Sequence, residues 1–172
     1  RRIRYKGVEV VRSVDCPIRD TNWGTAVPEN VEEATDEAEG LVSHRRSFSV
    51  FDGALTIRLD ARLAADRVVV TTSLTAERLT LTNRAGFTLL HPLEGVVGAP
   101  LTILHSDGRE ERAAFPRRIS PGQPAFDIAG LRHSCRGIGV DIRFQGEIFE
   151  MEDQRNWTDA SYKTYCRPLG LT

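Results

Sequence analysis

Leu55-Thr56-Ile57-Arg58-Leu59-Asp60-Ala61-Arg62-Leu63 alternates apolar and polar residues without a break. Successive side chains of a strand point to opposite faces, so this spacing predicts a strand with one dry face. Asp52-Gly53 separates it from Phe48-Ser49-Val50-Phe51. Asp-Gly between two strand-like runs signals a hairpin, because both residues tolerate positive φ. The same signals recur outward along the chain. Asp107-Gly108 separates Leu101-Thr102-Ile103-Leu104 from the segment 110–115, and Ile138, Val140, Ile142 and Phe144 alternate with Gly139, Asp141 and Arg143. Leu79 and Leu81 alternate with Thr80 and Thr82, Val68-Val69-Val70 suits a buried strand, and Asn83-Arg84-Ala85-Gly86 reads as a longer hairpin loop. Helix signals are scarce. Short strands about 8–12 residues apart predict an all-β fold, an antiparallel β-sandwich with few or no helices.

The 172 residues are enough for one domain, and the chain is read as a single sandwich over 1–172. Hydrophobic residues make up 40% and charged residues 27%, the balance of a soluble globular protein. No apolar run approaches the roughly 20 residues of a membrane helix, so no membrane partner is expected. Lys+Arg 23 against Asp+Glu 24 leaves a net charge of −1, and no basic field is available for nucleic acid. Cys16, Cys135 and Cys166 are far apart, odd in number and without zinc spacing. They read as reduced thiols of a cytoplasmic protein. No metal site and no cofactor are predicted, with a divalent metal left open. The only methionine is Met151, so the sequence reads as processed or as part of a longer protein.

Two stretches break the β pattern. Residues 29–39 carry six acids and almost no large apolar side chain, and read as a solvated, mobile loop. Pro116, Pro121, Gly122 and Pro124 mark a crossover that cannot be a central strand.

The densest polar and aromatic stretch runs from Glu147 to Tyr165. In a strand, Glu150 and Glu152 share a face and Asp153 takes the other, with Asp153 to Asn156 turning the chain. Paired carboxylates beside Arg155 suit acid/base work on a sugar, since a cation keeps one acid ionised while a like charge raises the other. Asn156, Trp157, Asp159 and Lys163 suit recognition of a hydroxylated ring; a salt-bridged corner anchored by Trp157 explains the same residues. His91 ends an apolar strand before Pro92, where a strand gives way to a loop, and imidazole can exchange protons near neutral pH. A hydrogen-bonded structural histidine is the alternative. His105 abuts a turn, His133 reads as part of a loop over 132–136, and His44 reads as a solvated strand edge. Trp23, beside Asn22 and Asp20, could stack on a sugar or cap the end of a sandwich.

The string Phe149-Glu150-Met151-Glu152-Asp153-Gln154-Arg155-Asn156-Trp157-Thr158-Asp159-Ala160-Ser161-Tyr162-Lys163-Thr164-Tyr165 closely resembles the signature of the D-apionate lactonase family. So do Asn83 to Pro92, the Asp107-Gly108 hairpin, Phe115-Pro116 with Ile119 to Pro124, and Arg19 to Thr25, in order almost to Pro168. The resemblance implies a bacterial, cytoplasmic enzyme that opens the lactone of D-apionate in apiose catabolism. It implies a β-rich N-terminal domain ahead of a TIM barrel and a smaller β-domain, with this chain matching the first. The lack of a start Met and the end at Leu169-Gly170-Leu171-Thr172 then read as cut edges. The expected partners are a small sugar lactone and the C-terminal domains absent from this chain.

On that reading, Glu152 or Asp153 would activate water, Arg155 would hold the oxyanion or the product carboxylate, and His91 would protonate the leaving oxygen. A barrel usually carries its active site at the C-terminal ends of its strands, so the motif could equally line the cleft or brace an interface. A non-catalytic carbohydrate-binding or interdomain sandwich and an aldose-epimerase-like enzyme on a mutarotase-like sandwich are the competing readings.

Overall fold

The computed structural model describes residues 2–120 and 122–166. Pro121, Pro168 and the terminal Leu169 to Thr172, which entered the sequence reading, lie outside the described residues. Among these the chain is all-β and antiparallel, with no helix. Among the described residues there is therefore no helix long and apolar enough to cross a membrane.

The chain begins with β1 (Ile3–Tyr5), β2 (Val8–Val11) and β3 (Ser13–Asp15). It continues through β4 (Ile18–Arg19), β5 (Glu29–Ala38), β6 (Leu41–Val50), β7 (Leu55–Leu63), β8 (Val68–Ala76) and β9 (Arg84–Ala85). Then follow β10 (Thr88–Leu90), β11 (Pro100–His105), β12 (Glu110–Ala114), β13 (Ala125–Cys135), β14 (Ile138–Arg143), β15 (Phe149–Asp153) and β16 (Tyr162–Cys166). These strands collect in two compact units: residues 2–15 with 87–166, and residues 16–86.

The unit of residues 16–86 is built on the sheet β5-β6-β7-β8, with a short β4-β9 pair. The Asp52-Gly53 hairpin joins β6 to β7 as the sequence predicts, with Phe51, Asp52 and Gly53 all at positive φ (57°, 53° and 74°). Val50, Leu55 and Ile57 meet Cys16 and Ile18 in a small core. Ile57 is fully buried there. Ile57→Ala is expected to cost about 3 kcal/mol through lost burial and a residual cavity, read from a urea melt.

Several local readings are corrected here. Residues 29–38 form a strand rather than a mobile loop. Register sets Glu33 opposite Arg46, Ala34 opposite Arg45 and Thr35 opposite His44. Glu33 and Asp36 also lie 3.5 Å from His44 and 3.6 Å from Arg45. An edge strand needs a pairing partner more than a dry face, and its acids deter pairing with another chain. His44 consequently sits in an interior strand, with β5 outside it. Val68-Val69-Val70 lies on the opposite edge, where Val69 is half exposed, so the β-branched run is not buried. Leu79 and Leu81 lie outside any strand and are exposed, having no neighbouring chain to pair with. Arg84-Ala85 is not a hairpin tip; it pairs with Ile18-Arg19.

The other unit carries the eight-stranded sheet, in the order β12-β11-β13-β15-β16-β10-β3 with β14 on β13. Leu101, Ile103, Ile128, Leu131, Phe149, Met151 and Tyr162 fill its core. His133, read as part of a loop, lies inside β13. The strand runs on to Cys135 because Arg136-Gly137 makes a two-residue turn with both residues at positive φ (50° and 82°). Residues 115–120 and 122–124 form the crossover, outside any strand.

Candidate functional site

The Phe149 to Tyr165 string folds as the β15–β16 hairpin, with Glu150 opposite Tyr165, Glu152 opposite Lys163 and Asp153 opposite Tyr162. Strand parity places Glu150 and Glu152 on one face, as the spacing predicts. The Tyr165 hydroxyl lies 2.7 Å from Glu152 Oε1 and 3.3 Å from Glu150 Oε2. Gln123 Nε2 donates to Glu150 Oε2 at 2.9 Å and to Tyr165 Oη at 2.8 Å. Gln154 Nε2 donates to Glu152 Oε2 at 2.6 Å. Glu150 is buried, whereas Glu152 is only partly so.

An open groove of about 500 Å³ lies beside this network. Ile119, Ser120, Gly122 and Gln123 of the crossover line it with Glu152, Asp153, Gln154, Asn156 and Trp157 of the hairpin. Trp157 stands out from the loop, 68% exposed.

Asp153 and Arg155 make a closed pair. The Asp153 side chain is fully buried and that of Arg155 is 8% exposed. Arg155 Nε donates to Asp153 Oδ1 at 2.8 Å and Nη2 donates to Oδ2 at 2.7 Å, the bidentate fork that suits a carboxylate. Nη2 also donates to the Pro116 carbonyl at 2.9 Å and Nη1 to the Arg117 carbonyl at 3.2 Å. The guanidinium lies 4.7 Å above the Tyr162 ring, whose hydroxyl also donates to the Pro116 carbonyl. Burial alone would raise the Asp153 carboxyl, but hydrogen bonds from the Arg155 side chain and backbone outweigh it and hold the pKa below its ordinary value. Asp153 is thus a fixed carboxylate, and the Arg155 fork is directed at the crossover rather than at open space.

His91 is fully buried. Its Nε2 lies 2.8 Å from Thr164 Oγ1, and Ser161 Oγ donates to its carbonyl. The ring meets Phe115 at 5.4 Å and His133 at 5.9 Å, centre to centre. Among the described residues, Nδ1 of His91 and both ring nitrogens of His133 are buried with no partner at full hydrogen-bond geometry, the Ser134 backbone being the polar group that acts on His133. Burial, reinforced by His133, pushes the His91 pKa down to about 3, so the ring is neutral at physiological pH. It belongs to the core and is not part of the groove.

The remaining candidates divide. Asn156 and Trp157 join Glu152 in the groove. Asp159 and Lys163 pair with each other at 2.8 Å and do not line it. Trp23 belongs to the other unit, at φ 66° in a turn held by Asp20 Oδ1, which accepts from the backbone NH of Asn22 and Gly24, each at 2.8 Å. Among the described residues, no three His, Cys, Asp or Glu side chains converge to hold a metal. Cys16, Cys135 and Cys166 are buried, with no disulfide among the described residues.

The family model of the D-apionate lactonase N-terminal domain matches residues 1–172. The chain belongs to this family. It is 40% identical over 179 residues to the D-apionate lactonase of Brucella anthropi, a match covering 99% of this chain and 29% of that protein. The chain therefore spans less than a third of that relative's length. No solved structure matches it.

In this member of the D-apionate lactonase N-terminal domain family, Gln123 lines the groove and Tyr165 contacts Glu152, and the sequence reading left both without a role. Strand parity alone could have found Tyr165, since a hairpin of this length sets it across from Glu150. No local signal identifies Gln123, which reaches the site from 42 positions away.

Proposed function

We propose that this chain is the N-terminal domain of a cytoplasmic enzyme of apiose catabolism that hydrolyses D-apionolactone to D-apionate. We further propose that the domain holds the lactone while residues outside the chain open it. Family membership over the whole chain supports the first part. The closed Asp153–Arg155 pair and the buried His91 support the second. Hydrolysis adds a water oxygen to the lactone carbonyl, breaks the ring C–O bond and returns a proton to the departing alkoxide. A group performing either proton transfer must come within hydrogen-bond reach of the reacting atoms. Of the three acid/base candidates, only the Glu152 side chain offers a partly exposed carboxylate at the groove.

The experiment is a pH-stat assay of lactone opening by the full protein and its Glu152→Gln variant. Loss of a binding contact raises KM about tenfold and leaves kcat within about twofold, because uniform binding is what has been removed. A fall of roughly a hundredfold or more in kcat would instead make Glu152 the base.

A further inference from the structure

We propose that the groove between the crossover and the β15–β16 hairpin is a binding site for a neutral polyhydroxylated ring, and that it discriminates against the sugar-acid anion formed by hydrolysis. This proposal rests on the lactonase reading and adds a polarity to the site: substrate is admitted and product is disfavoured.

Three features of the groove support it. The first is its hydrogen-bonding inventory. Glu152 offers carboxylate lone pairs and Asn156 an amide with both donor and acceptor groups, while Gln123 and Gln154 have Nε2 engaged with Glu150, Tyr165 and Glu152 and keep their carbonyl oxygens as acceptors. A ring hydroxyl both donates and accepts, so this mixture matches adjacent hydroxyls better than it matches an acceptor-only anion. The second is Trp157, 68% exposed at the groove. An indole face left open to water beside amides suits the C–H face of a sugar ring, with the polar atoms directed at the hydroxyls.

The third is charge. The one acid of the lining with a partly exposed side chain is Glu152, Asp153 being fully buried against Arg155, and the lining has no lysine or arginine among the described residues. Arg155 is committed to Asp153 and the crossover carbonyls and Lys163 to Asp159, while Arg117 and Arg118, exposed in the crossover, are not among the lining residues. Glu152 accepts hydrogen bonds from the Tyr165 hydroxyl and the Gln154 amide, neither of which carries a positive charge. A carboxylate entering the groove would therefore meet another carboxylate with no donor cation between them. The lactone and the free sugar carry no charge and incur no such penalty. Ring opening converts a neutral ligand into an anion, so the same site would loosen its hold at the step where release is needed.

The test measures binding to the full protein at pH 7 by calorimetry, with D-apiose as the neutral probe and sodium D-apionate as the anion. The neutral sugar is expected to bind about tenfold more tightly than the acid, the scale of one like-charge contact largely screened by water. Glu152→Gln should narrow that gap by improving apionate binding. Trp157→Ala should weaken apiose binding about tenfold without moving the thermal midpoint, because the indole is exposed. Apionate binding equal to or tighter than apiose binding, or a Trp157→Ala variant that binds both as the wild type does, overturns the proposal. Lactone hydrolysis is followed in parallel. Turnover with no groove-dependent sugar binding sinks this proposal and leaves the lactonase reading intact. Apiose binding with the expected preference but no turnover does the reverse.

Discussion

Arg155→Ala is expected to destabilise the unit formed by residues 2–15 and 87–166 by about 3 kcal/mol at pH 7, although Arg155 lies in a hairpin loop. The reason is what the change leaves behind. Asp153 has a fully buried side chain, and its carboxylate is compensated by the Arg155 fork and by the Ser120 backbone NH at 3.4 Å. Removing the cation strands a charge away from water, and the carboxyl can then relieve the penalty only by taking up a proton. The same substitution unties the Pro116 and Arg117 carbonyls and removes the cation from the face of Tyr162.

Urea melts of the wild type, Arg155→Ala, Asp153→Asn and the double variant would measure the pair as a cycle. The double variant should cost less than the sum of the singles, because each single leaves the other partner uncompensated. Arg155→Lys should recover only part of the loss, since an ammonium cannot reproduce a planar fork. A loss under about 1 kcal/mol in Arg155→Ala would show that the pair behaves as a surface ion pair.

The second large effect is acid sensitivity. His91 has a folded pKa of about 3, and burial also lowers that of His133. Unfolded, both return to about 6.5. Between these values the unfolded chain binds the extra protons, so stability falls as pH falls. His91 alone should remove roughly 2 kcal/mol between pH 7 and pH 5, with His133 acting in the same direction. Below about pH 3 the His91 contribution levels off, because the folded state then protonates as well. Asp153 adds a separate limb: its depressed folded pKa gives stability that is present above the unfolded carboxyl value and lost as pH drops through the folded one. His91→Leu should flatten the pH 7 to pH 5 slope while lowering the plateau through the lost Thr164 hydrogen bond. Identical wild-type stability at pH 7 and pH 5 would exclude a buried neutral His91.

The local features were legible because they depend on neighbours in sequence. The Leu55–Leu63 alternation, the two Asp-Gly hairpins and the shared face of Glu150 and Glu152 need only strand parity and turn chemistry. The acidic strand was not legible, because what orders it is a row of basic residues and histidine on the next strand. Leu79 and Leu81 show the converse, since alternation specifies a strand only if another chain segment is there to pair with it.

The candidate site divides the same way. Its location in the Glu147 to Tyr165 stretch was readable from the density of acids, amides and aromatics, and from the family resemblance. The roles within it were not. His91, at the end of an apolar strand, looked available for proton transfer, yet Phe115, His133 and Thr164 meet its ring from three other segments. Arg155 looked like an anion receptor, yet its donors reach carbonyls 38 and 39 residues away.

By itself, then, the sequence determined the β class and most of the hairpins, all set by interactions spanning a few residues. Only the tertiary structure decided which charged and titratable groups face water. Desolvation and pairing depend on segments distant in the chain, and those terms separate the carboxylate at the groove from the one locked inside the fold.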